Sequence, residues 1–122
     1  MVDYHKNFTL LLASAIAETA INAPIYYEFF KDRVSIPAVS YYESNNTSSL
    51  IGDTVKYSEI TYRIKIWSYE IEEIQTLAQA IDATLLKNGF KRTFATEMVD
   101  EETKLPYKVI DYKGIGYETK NN

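Results

Sequence analysis

A chain of 122 residues, 46% of them apolar and 25% charged, has the composition of one globular domain. Its 17 acidic and 13 basic residues give a formal net charge of -4, which argues against a nucleic-acid-binding protein that depends on a basic face. The absence of cysteine excludes disulfides, thiolate metal sites and cysteine nucleophiles. No apolar run approaches the roughly 20 residues that cross a bilayer. We therefore expect one domain over residues 1–122 with no signal peptide, no membrane association and a frayed tail at 118–122.

The first predicted element is a helix over residues 3–21, because apolar residues recur at helical spacing on one face. Asp3 is the predicted N-cap. Pro24 limits the helix, since the residue before a proline avoids helical backbone. The apolar face consists of Phe8, Leu11, Leu12, Ala15 and Ile16.

Two strands and a long loop are predicted next. Residues 25–30 are aromatic and favour a strand, residues 31–33 form a turn, and residues 36–43 favour a second strand with Pro37 near its start. Residues 44–54 are dominated by Ser, Asn, Thr and Gly and are predicted to be a loop. Loops of this length often carry function.

The clearest strand is predicted over residues 57–67, where residue types alternate strictly. Because successive side chains of a strand point to opposite faces, the two sets lie on opposite sides of the sheet. One set is Ile60, Tyr62, Ile64 and Ile66, and the other is Glu59, Thr61, Arg63, Lys65 and Trp67.

A second helix is predicted over residues 69–88, with Ser68 as its cap and Gly89 as the left-handed residue that ends it. Acidic residues in its first turn and Lys87 in its last turn suit the helix dipole. The predicted buried stripe is Ile71, Ile74, Leu77, Ala78, Ile81 and Leu85, and the acidic residues are Glu70, Glu72 and Glu73.

The last two strands are predicted over residues 90–99 and 105–117, joined by a polar hairpin tip at 100–104. Phe90, Phe94 and Met98 are expected on one side of the first of these strands, and Gly114 and Gly116 weaken the end of the second. The expected fold is α+β with the order α-β-β-β-α-β-β. Hairpins dominate this order, so the sheet of four or five strands should be mainly antiparallel with both helices on one face, and only the second helix could form a crossover.

No set of residues in the sequence indicates catalysis. The acidic residues of 70–73 and 100–102 match no calcium-loop spacing, and the serines lack a histidine partner, because the one histidine is His5 near the N-terminus. A single Gly-x-Gly at 114–116 lacks the rest of a dinucleotide fingerprint. We expect no catalytic residue, no cofactor and no metal, so the protein is predicted not to be an enzyme.

The aromatic residues indicate contact with partners. In each of the pairs Tyr26-Tyr27 and Tyr41-Tyr42, one tyrosine must leave the helix-covered side of the sheet, as must Trp67. Two helices cover one face of such a sheet, so the other face carries aromatic side chains without a cover. Scattered exposed aromatics are normal, but a contiguous patch would mark a partner surface, and Arg63, Lys65 and Glu59 around Trp67 would give it a mixed polar rim.

Roughly residues 5–117 resemble the tail-terminator (tail completion, tail-to-head joining) proteins of long-tailed bacteriophages. The features that carry this resemblance are an N-terminal helix, IYYEFF, IPAVSYYE, a polar loop, YRIKIWS running into the helix EIEEIQTLAQAIDATLLKNGF, and the closing KRTFATEMVDEETKLPYKVIDY. The most specific part is a strand that ends in I-x-I-W-S, followed by an acidic helix and then N-G-F-K-R.

The resemblance implies a structural virion protein without an active site. Such proteins form a ring, usually a hexamer, at the head-proximal end of the tail tube. The ring ends polymerisation of the tube protein and meets the head connector, and DNA passes through its lumen without specific binding. Its place is the tail or neck of the virion, assembled in the bacterial cytoplasm. The expected interface residues are Tyr26, Tyr41, Arg63, Lys65, Trp67, Leu50, Ile51, Asp100, Glu101 and Glu102, with residues 44–54 and 100–104 at ring or tube contacts.

Other functions remain open on the sequence alone. Another phage neck protein, such as a head-closure component, would share the virion location but bind the portal side. A small regulatory domain of the ferredoxin-like kind would be a monomer or dimer with a pocket under its helices. An enzyme of an unrecognised type is the third alternative.

Overall fold

The structure is a computed structural model that describes residues 4–27, 35–51 and 55–119, with side chains described over 7–27, 35–47 and 59–114. The predicted order α-β-β-β-α-β-β is confirmed. The elements are α1 Tyr4–Ala17, β1 Ile25–Tyr27, β2 Ala38–Ile51, β3 Val55–Trp67, α2 Ile71–Lys87, β4 Lys91–Val99 and β5 Pro106–Thr119.

One five-stranded sheet forms the middle of the fold, with the strand order β1-β2-β3-β5-β4. β2 pairs with β3, β3 with β5, and β5 with β4, all antiparallel. Helix α2 connects β3 to β4, which run parallel to each other with β5 between them, so α2 is the crossover that the sequence allowed. The prediction of a mainly antiparallel sheet is confirmed.

The pairing of β1 differs from the predicted hairpin, because β1 runs parallel to β2, with Ile25 opposite Val39. A tight turn can join only antiparallel neighbours, whereas a parallel partner needs a longer connection. The second helix is therefore not the only crossover. The predicted turn at 31–33 and the predicted end of the strand at 28–30 lie outside the described residues.

Both helices pack on the same face of the sheet, which we call the helix-covered face. Phe8 of α1 stacks on Tyr62 of β3 with ring centroids 3.9 Å apart. The predicted apolar set of β3 is confirmed as core, together with most of the α2 stripe. The core shared by helices and sheet includes Phe8, Leu12, Ala15, Ile60, Tyr62, Ile64, Ile66, Ile74, Leu77, Ala78, Ile81, Leu85, Ile110 and Tyr112.

Helix α2 begins two residues later than predicted, and Glu70 rather than Ser68 occupies the N-cap position. Ser68 lies just before the helix, where its hydroxyl accepts a hydrogen bond from the Glu70 N–H and donates one to Glu73. Ile71, predicted to be buried, is 61% exposed because it borders an open groove between the start of α2 and the end of β4. Gly89 has a φ of 90°, which confirms it as the left-handed residue after the helix.

The predicted loop at 44–54 is wrong for residues 44–51, which continue β2 and pair with β3 as far as Ile51 opposite Val55. A bulge between Glu43 and Asn45 interrupts the ladder once. Within the described residues, β1 pairs with β2 as far as Tyr41, and pairing of β4 with β5 begins at Lys113. The described residues beyond these points, 44–51 of β2, 55–59 of β3 and 115–119 of β5, therefore form a three-stranded extension that we call the arm.

A second bulge, between Arg92 and Phe94, changes the predicted arrangement of β4. The extra residue reverses the alternation, so Phe90 and Phe94 do not share a side as predicted. Phe90 packs against the core, whereas Phe94 lies opposite Asp111 on the other face. Gly114 is needed here, because a Cβ at this position would lie 2.5 Å from Cε1 of Phe90.

The last strand continues to Thr119, two residues beyond its predicted end, and the rest of the predicted frayed tail lies outside the described residues. Among the described helices, none is both long and apolar enough to cross a membrane.

Candidate interaction surface

The sheet face opposite the helices, which we call the open face, is built from the alternate residues of all five strands. Arg63, Lys65 and Trp67 of β3 form its middle row, as the alternation predicted. No helix or strand of the described part of the chain packs on this face, since α1 and α2 both contribute to the core on the other side. The other rows are Tyr26 of β1, Ser40 and Tyr42 of β2, Tyr107, Val109 and Asp111 of β5, and Phe94, Thr96 and Met98 of β4.

A bidentate ion pair between neighbouring strands occupies the centre of the open face. Nε and Nη2 of Arg63 donate to the two carboxylate oxygens of Asp111 at 2.8 and 2.9 Å. Asp111 is nearly buried, and its hydrogen bonds raise the pKa of Arg63 well above its ordinary value. The guanidinium also lies 5.9 Å from the ring centroid of Phe94. The two opposite charges therefore neutralise each other at the centre of the open face.

An aromatic stack lies beside this pair. The rings of Trp67 and Tyr107 stack with centroids 4.2 Å apart and an interplanar angle of 25°. The indole N–H of Trp67 donates to the hydroxyl of Ser40 at 3.2 Å, and the ammonium of Lys65 lies 5.7 Å from the Tyr107 ring. Burial lowers the pKa of Lys65, and the nearby Arg63 lowers it further. Large aromatic faces with satisfied polar atoms are typical of interface centres.

Strand β4 ends the sheet on one side and carries exposed apolar side chains. Phe94 is 47% exposed and Met98 is 48% exposed, both on the open face. The hydroxyl of Tyr107 donates to the sulfur of Met98 at 3.5 Å. A groove of about 300 Å³ lies between the end of β4 and the start of α2, lined by Ile71, Ile74, Glu97, Met98, Val99, Pro106 and Tyr107. The apolar surface thus continues from the open face around the sheet edge.

The two tyrosine pairs split between the faces as predicted, but the interface residue in the second pair is not the one expected. Tyr26 lies opposite Ser40 on the open face. Tyr41 is 5% exposed and belongs to the core, where its hydroxyl hydrogen-bonds to Thr9 of α1, so it is corrected to a core residue. Its neighbour Tyr42 faces Arg63 on the open face instead. Adjacent tyrosines are alike in sequence, so only the strand register distinguishes them.

The two segments that were predicted to make contacts lie at opposite ends of the sheet. Leu50 and Ile51 belong to β2 in the arm, and their side chains lie outside the described residues. The hairpin tip at 100–104 lies at the other end, next to Trp67. Along β3 the separation is 12 residue steps, about 40 Å at about 3.3 Å per residue.

The hairpin tip is an ordered acidic turn. The carboxylate of Asp100 accepts hydrogen bonds from the N–H of Thr103 at 3.0 Å and from its hydroxyl at 2.7 Å. The backbone hydrogen bond from Thr103, followed by that from its side chain, lowers the pKa of Asp100. Lys104 has a φ of 61°, and Glu101 and Glu102 are exposed. The tip therefore presents fixed negative charge at the end of β4.

Three residues of this surface were not predicted from the sequence. Asp111, Tyr107 and Phe94 come together with Arg63 and Trp67 only because β5 lies between β3 and β4. The alternation of residues 105–113 contains a signal for Asp111, because a charge among apolar strand residues needs a partner. That signal does not identify the basic residue that pairs with Asp111.

A polar cleft of about 380 Å³ lies on the other side of β4, between α2 and the sheet. Two of its three charged side chains, Asp82 and Arg92, are paired with each other, and the third is Lys108. Asp82 accepts a hydrogen bond of 2.7 Å from the Tyr112 hydroxyl and lies 3.2 Å from Arg92. Burial, followed by this hydrogen bond, raises the pKa of Tyr112 far above its ordinary value. Over the described residues, no group of three or more His, Asp or Glu side chains is arranged to hold a metal ion.

No known protein family and no curated protein matches the sequence. Among solved structures, the fold is similar to that of a chain in the virion of a native gene transfer agent (GTA) particle. The match has a TM-score of 0.60 and 12% sequence identity, and it covers 88% of this chain and 84% of that chain. At this identity the likeness shows a shared fold over nearly the whole length.

Proposed function

We propose that this chain is a structural virion protein that forms a ring, with a hexamer as the expected size, at the head-proximal end of a phage tail tube. The observation that carries the proposal is the open face, on which the exposed side chains of Phe94 and Met98 lie beside the stacked rings of Trp67 and Tyr107 and the Arg63–Asp111 pair. A surface with an aromatic centre and a satisfied polar rim is typical of a protein interface. The chain of similar fold comes from a virion, which supports the same class of protein.

The proposed mechanism is geometric and needs no catalytic residue. Each copy would present the same surface to its neighbour, and a rotation that closes gives a ring. One side of the ring would bind the last ring of tube subunits, and the other would lack the docking surface for another tube subunit. Tube growth would end there, and the head connector would bind.

The positions of the two candidate contact segments favour this arrangement. The arm and the acidic tip at 100–104 lie at opposite ends of the sheet, so one copy can reach two partners at once. In the proposed ring, one end would meet the tube and the other the connector. Each contact can be weak when several identical copies bind together.

Light scattering on the purified protein, alone and with the tail-tube protein of the same phage, tests the ring. We expect a discrete higher oligomer that forms or becomes more abundant in the presence of tube protein. Trp67→Ser should weaken each open-face contact by about 2 kcal/mol, typical of an aromatic interface residue. Thr76→Ser on the exposed side of α2 is the matched control and should assemble normally. Normal assembly of a folded Trp67→Ser variant would contradict the use of the open face.

Electron microscopy of particles that lack the protein distinguishes the terminator from the other neck components. Tails of uncontrolled length indicate a terminator. Tails of normal length that are not attached to heads indicate a joining or head-closure protein. Complete particles of normal appearance would overturn both.

A further inference from the structure

Strand β4 has the properties of an edge that binds a second copy of itself. It ends the described sheet, and eight of its nine residues are exposed. Natural proteins protect edge strands with bulges and charged side chains, because an unpaired edge recruits other strands. Here Lys91, Arg92 and the bulge before Phe94 protect the first half, whereas Glu97 is the one charged residue of the second half. The second half, residues 94–99, is regular and carries exposed Phe94, Met98 and Val99.

Charge is distributed along this edge in a self-complementary way. The start of β4 carries Lys91 and Arg92, of which Arg92 lies 3.2 Å from Asp82, whereas Glu97 and the tip residues Asp100, Glu101 and Glu102 make its end acidic. When two copies of a strand pair antiparallel about a two-fold axis, the start of each lies beside the end of the other. Each basic start would then approach the acidic tip of the second copy. A parallel pairing would instead place like charges together.

We propose that free copies of this protein pair through antiparallel β4 edges, with the two-fold axis at Thr96. In this register Phe94 lies opposite Met98 of the second copy, an aromatic–sulfur pair on the open face. Ala95 lies opposite Glu97, and the two copies of Thr96 lie opposite each other. The two five-stranded sheets become one sheet of ten strands.

The neighbouring registers fit less well. An axis at Glu97 places two glutamates directly opposite each other, which repel. An axis at Ala95 brings Met98 opposite Arg92, at the bulge where the ladder is disrupted. The register centred on Thr96 therefore uses the regular half of the strand and pairs its apolar side chains.

The inference goes beyond the proposed ring, because it concerns the free protein and a two-fold contact at the sheet edge. The proposed ring depends on the surface around Trp67, which the experiments on Trp67→Ser address separately. Failure of the edge contact would leave the ring proposal as it stands.

Charged substitutions of Thr96, the residue at the proposed two-fold axis, test the register of the β4 pairing. Thr96→Lys and Thr96→Glu each place two like charges opposite each other, so each variant alone should dissociate about fivefold more readily than the wild type in sedimentation velocity at low salt. An equimolar mixture of the two should restore dimers. Thr76→Lys and Thr76→Glu on exposed α2 are the matched controls and should leave dimerisation unchanged. Circular dichroism and thermal unfolding establish that every variant is folded.

A single cysteine gives an independent test, because the wild-type chain contains none. Residues opposite each other in an antiparallel pair have Cα atoms about 4.5–5.5 Å apart, within the range of a disulfide. Thr96→Cys should therefore form a covalent dimer on mild oxidation, whereas Thr76→Cys should not. Three results would each overturn the proposal: a wild type that stays monomeric at every concentration, variants at Thr96 that dimerise like the wild type, or a mixture that fails to restore dimers.

Discussion

Strand β3 contributes to two faces of the sheet that differ in almost every property. On the helix-covered face, Ile64 and Ile66 are completely buried and contact the helices. On the open face, Arg63 and Lys65 remain partly exposed and hold their positions through an ion pair and a ring contact. One face is maintained by apolar burial and the other by directed polar and aromatic contacts.

This difference separates folding from association. Burial of apolar surface on the helix-covered face supplies the stability of the domain, because that term scales with the area removed from water. On the open face, Ser40, Val109 and Asp111 are also nearly buried, and the exposed apolar surface is that of Phe94 and Met98 on β4. A change on one face should therefore alter stability, and a change on the other should alter assembly.

The largest expected loss of stability comes from truncating a buried side chain on the helix-covered face. Ile64→Ala removes methyl groups from a side chain that is 0% exposed and should cost about 2–5 kcal/mol of unfolding free energy. The matched control is the next residue, Lys65→Ala on the open face, which should cost less than about 1 kcal/mol. Urea unfolding of both variants measures the contrast. Equal losses would contradict the division between the faces.

A smaller effect is expected from adding one methyl group to the same face. Gly114→Ala would force its Cβ to within 2.5 Å of the Phe90 ring and should cost about 1–3 kcal/mol through overpacking. Thermal or urea unfolding measures the loss. Phe90→Leu in the same chain should recover part of it, because the ring is the group that must move. A double variant as unstable as the sum of the singles would show that another contact is responsible.

The open face should tolerate loss of its ion pair better than the core tolerates a cavity. Arg63→Met leaves the nearly buried carboxylate of Asp111 without its bidentate partner. Because the Arg63 side chain is 37% exposed and water can enter, the expected loss is about 1–2 kcal/mol. Urea unfolding of Arg63→Met and the wild type at pH 7 measures this loss of unfolding free energy. Adding Asp111→Asn should reduce the loss, since the orphaned charge is removed, and a larger loss would refute this explanation.

The smallest effect is expected at the hairpin tip. The pKa of Asp100 is lowered by hydrogen bonds from Thr103, so its ionised form stabilises the fold above the ordinary carboxyl pKa of about 3.9. This contribution is lost as the pH falls through the lower pKa of the folded state. Asp100→Asn should therefore melt slightly below the wild type at pH 7 and together with it near pH 2. A difference that persists in acid would exclude the charge as its cause.

Much of the fold follows from local periodicity. The alternation of β3 and the buried stripe of α2 are repeats of two and 3.6 residues, and each identifies a buried face without knowledge of its partner. Ile71 departs from the stripe because it borders the groove between the start of α2 and the end of β4, which no described side chain fills. Helix periodicity identifies the apolar side of α2, but it does not say whether another element of the fold covers every residue on that side.

The failures share one physical cause, which is the register of each strand with its neighbour, because composition and local periodicity do not describe it. Residues 44–51 have the polar composition of a loop, yet β3 satisfies their backbone hydrogen bonds and makes them a strand. The bulge in β4 moved Phe94 away from the side of Phe90. Tyr41 and Tyr42 could be assigned to faces only once their partners in β3 were known.

The sequence by itself determined the order of the elements, the two faces of β3 and the lack of any cysteine chemistry, because composition and periodicity are local properties. Tertiary structure decided the strand order, the parallel pairing of β1, and the meeting of Arg63 with Asp111 and of Trp67 with Tyr107. These depend on which strands become neighbours, and the free energy of strand pairing comes from contacts between residues that are far apart in the chain.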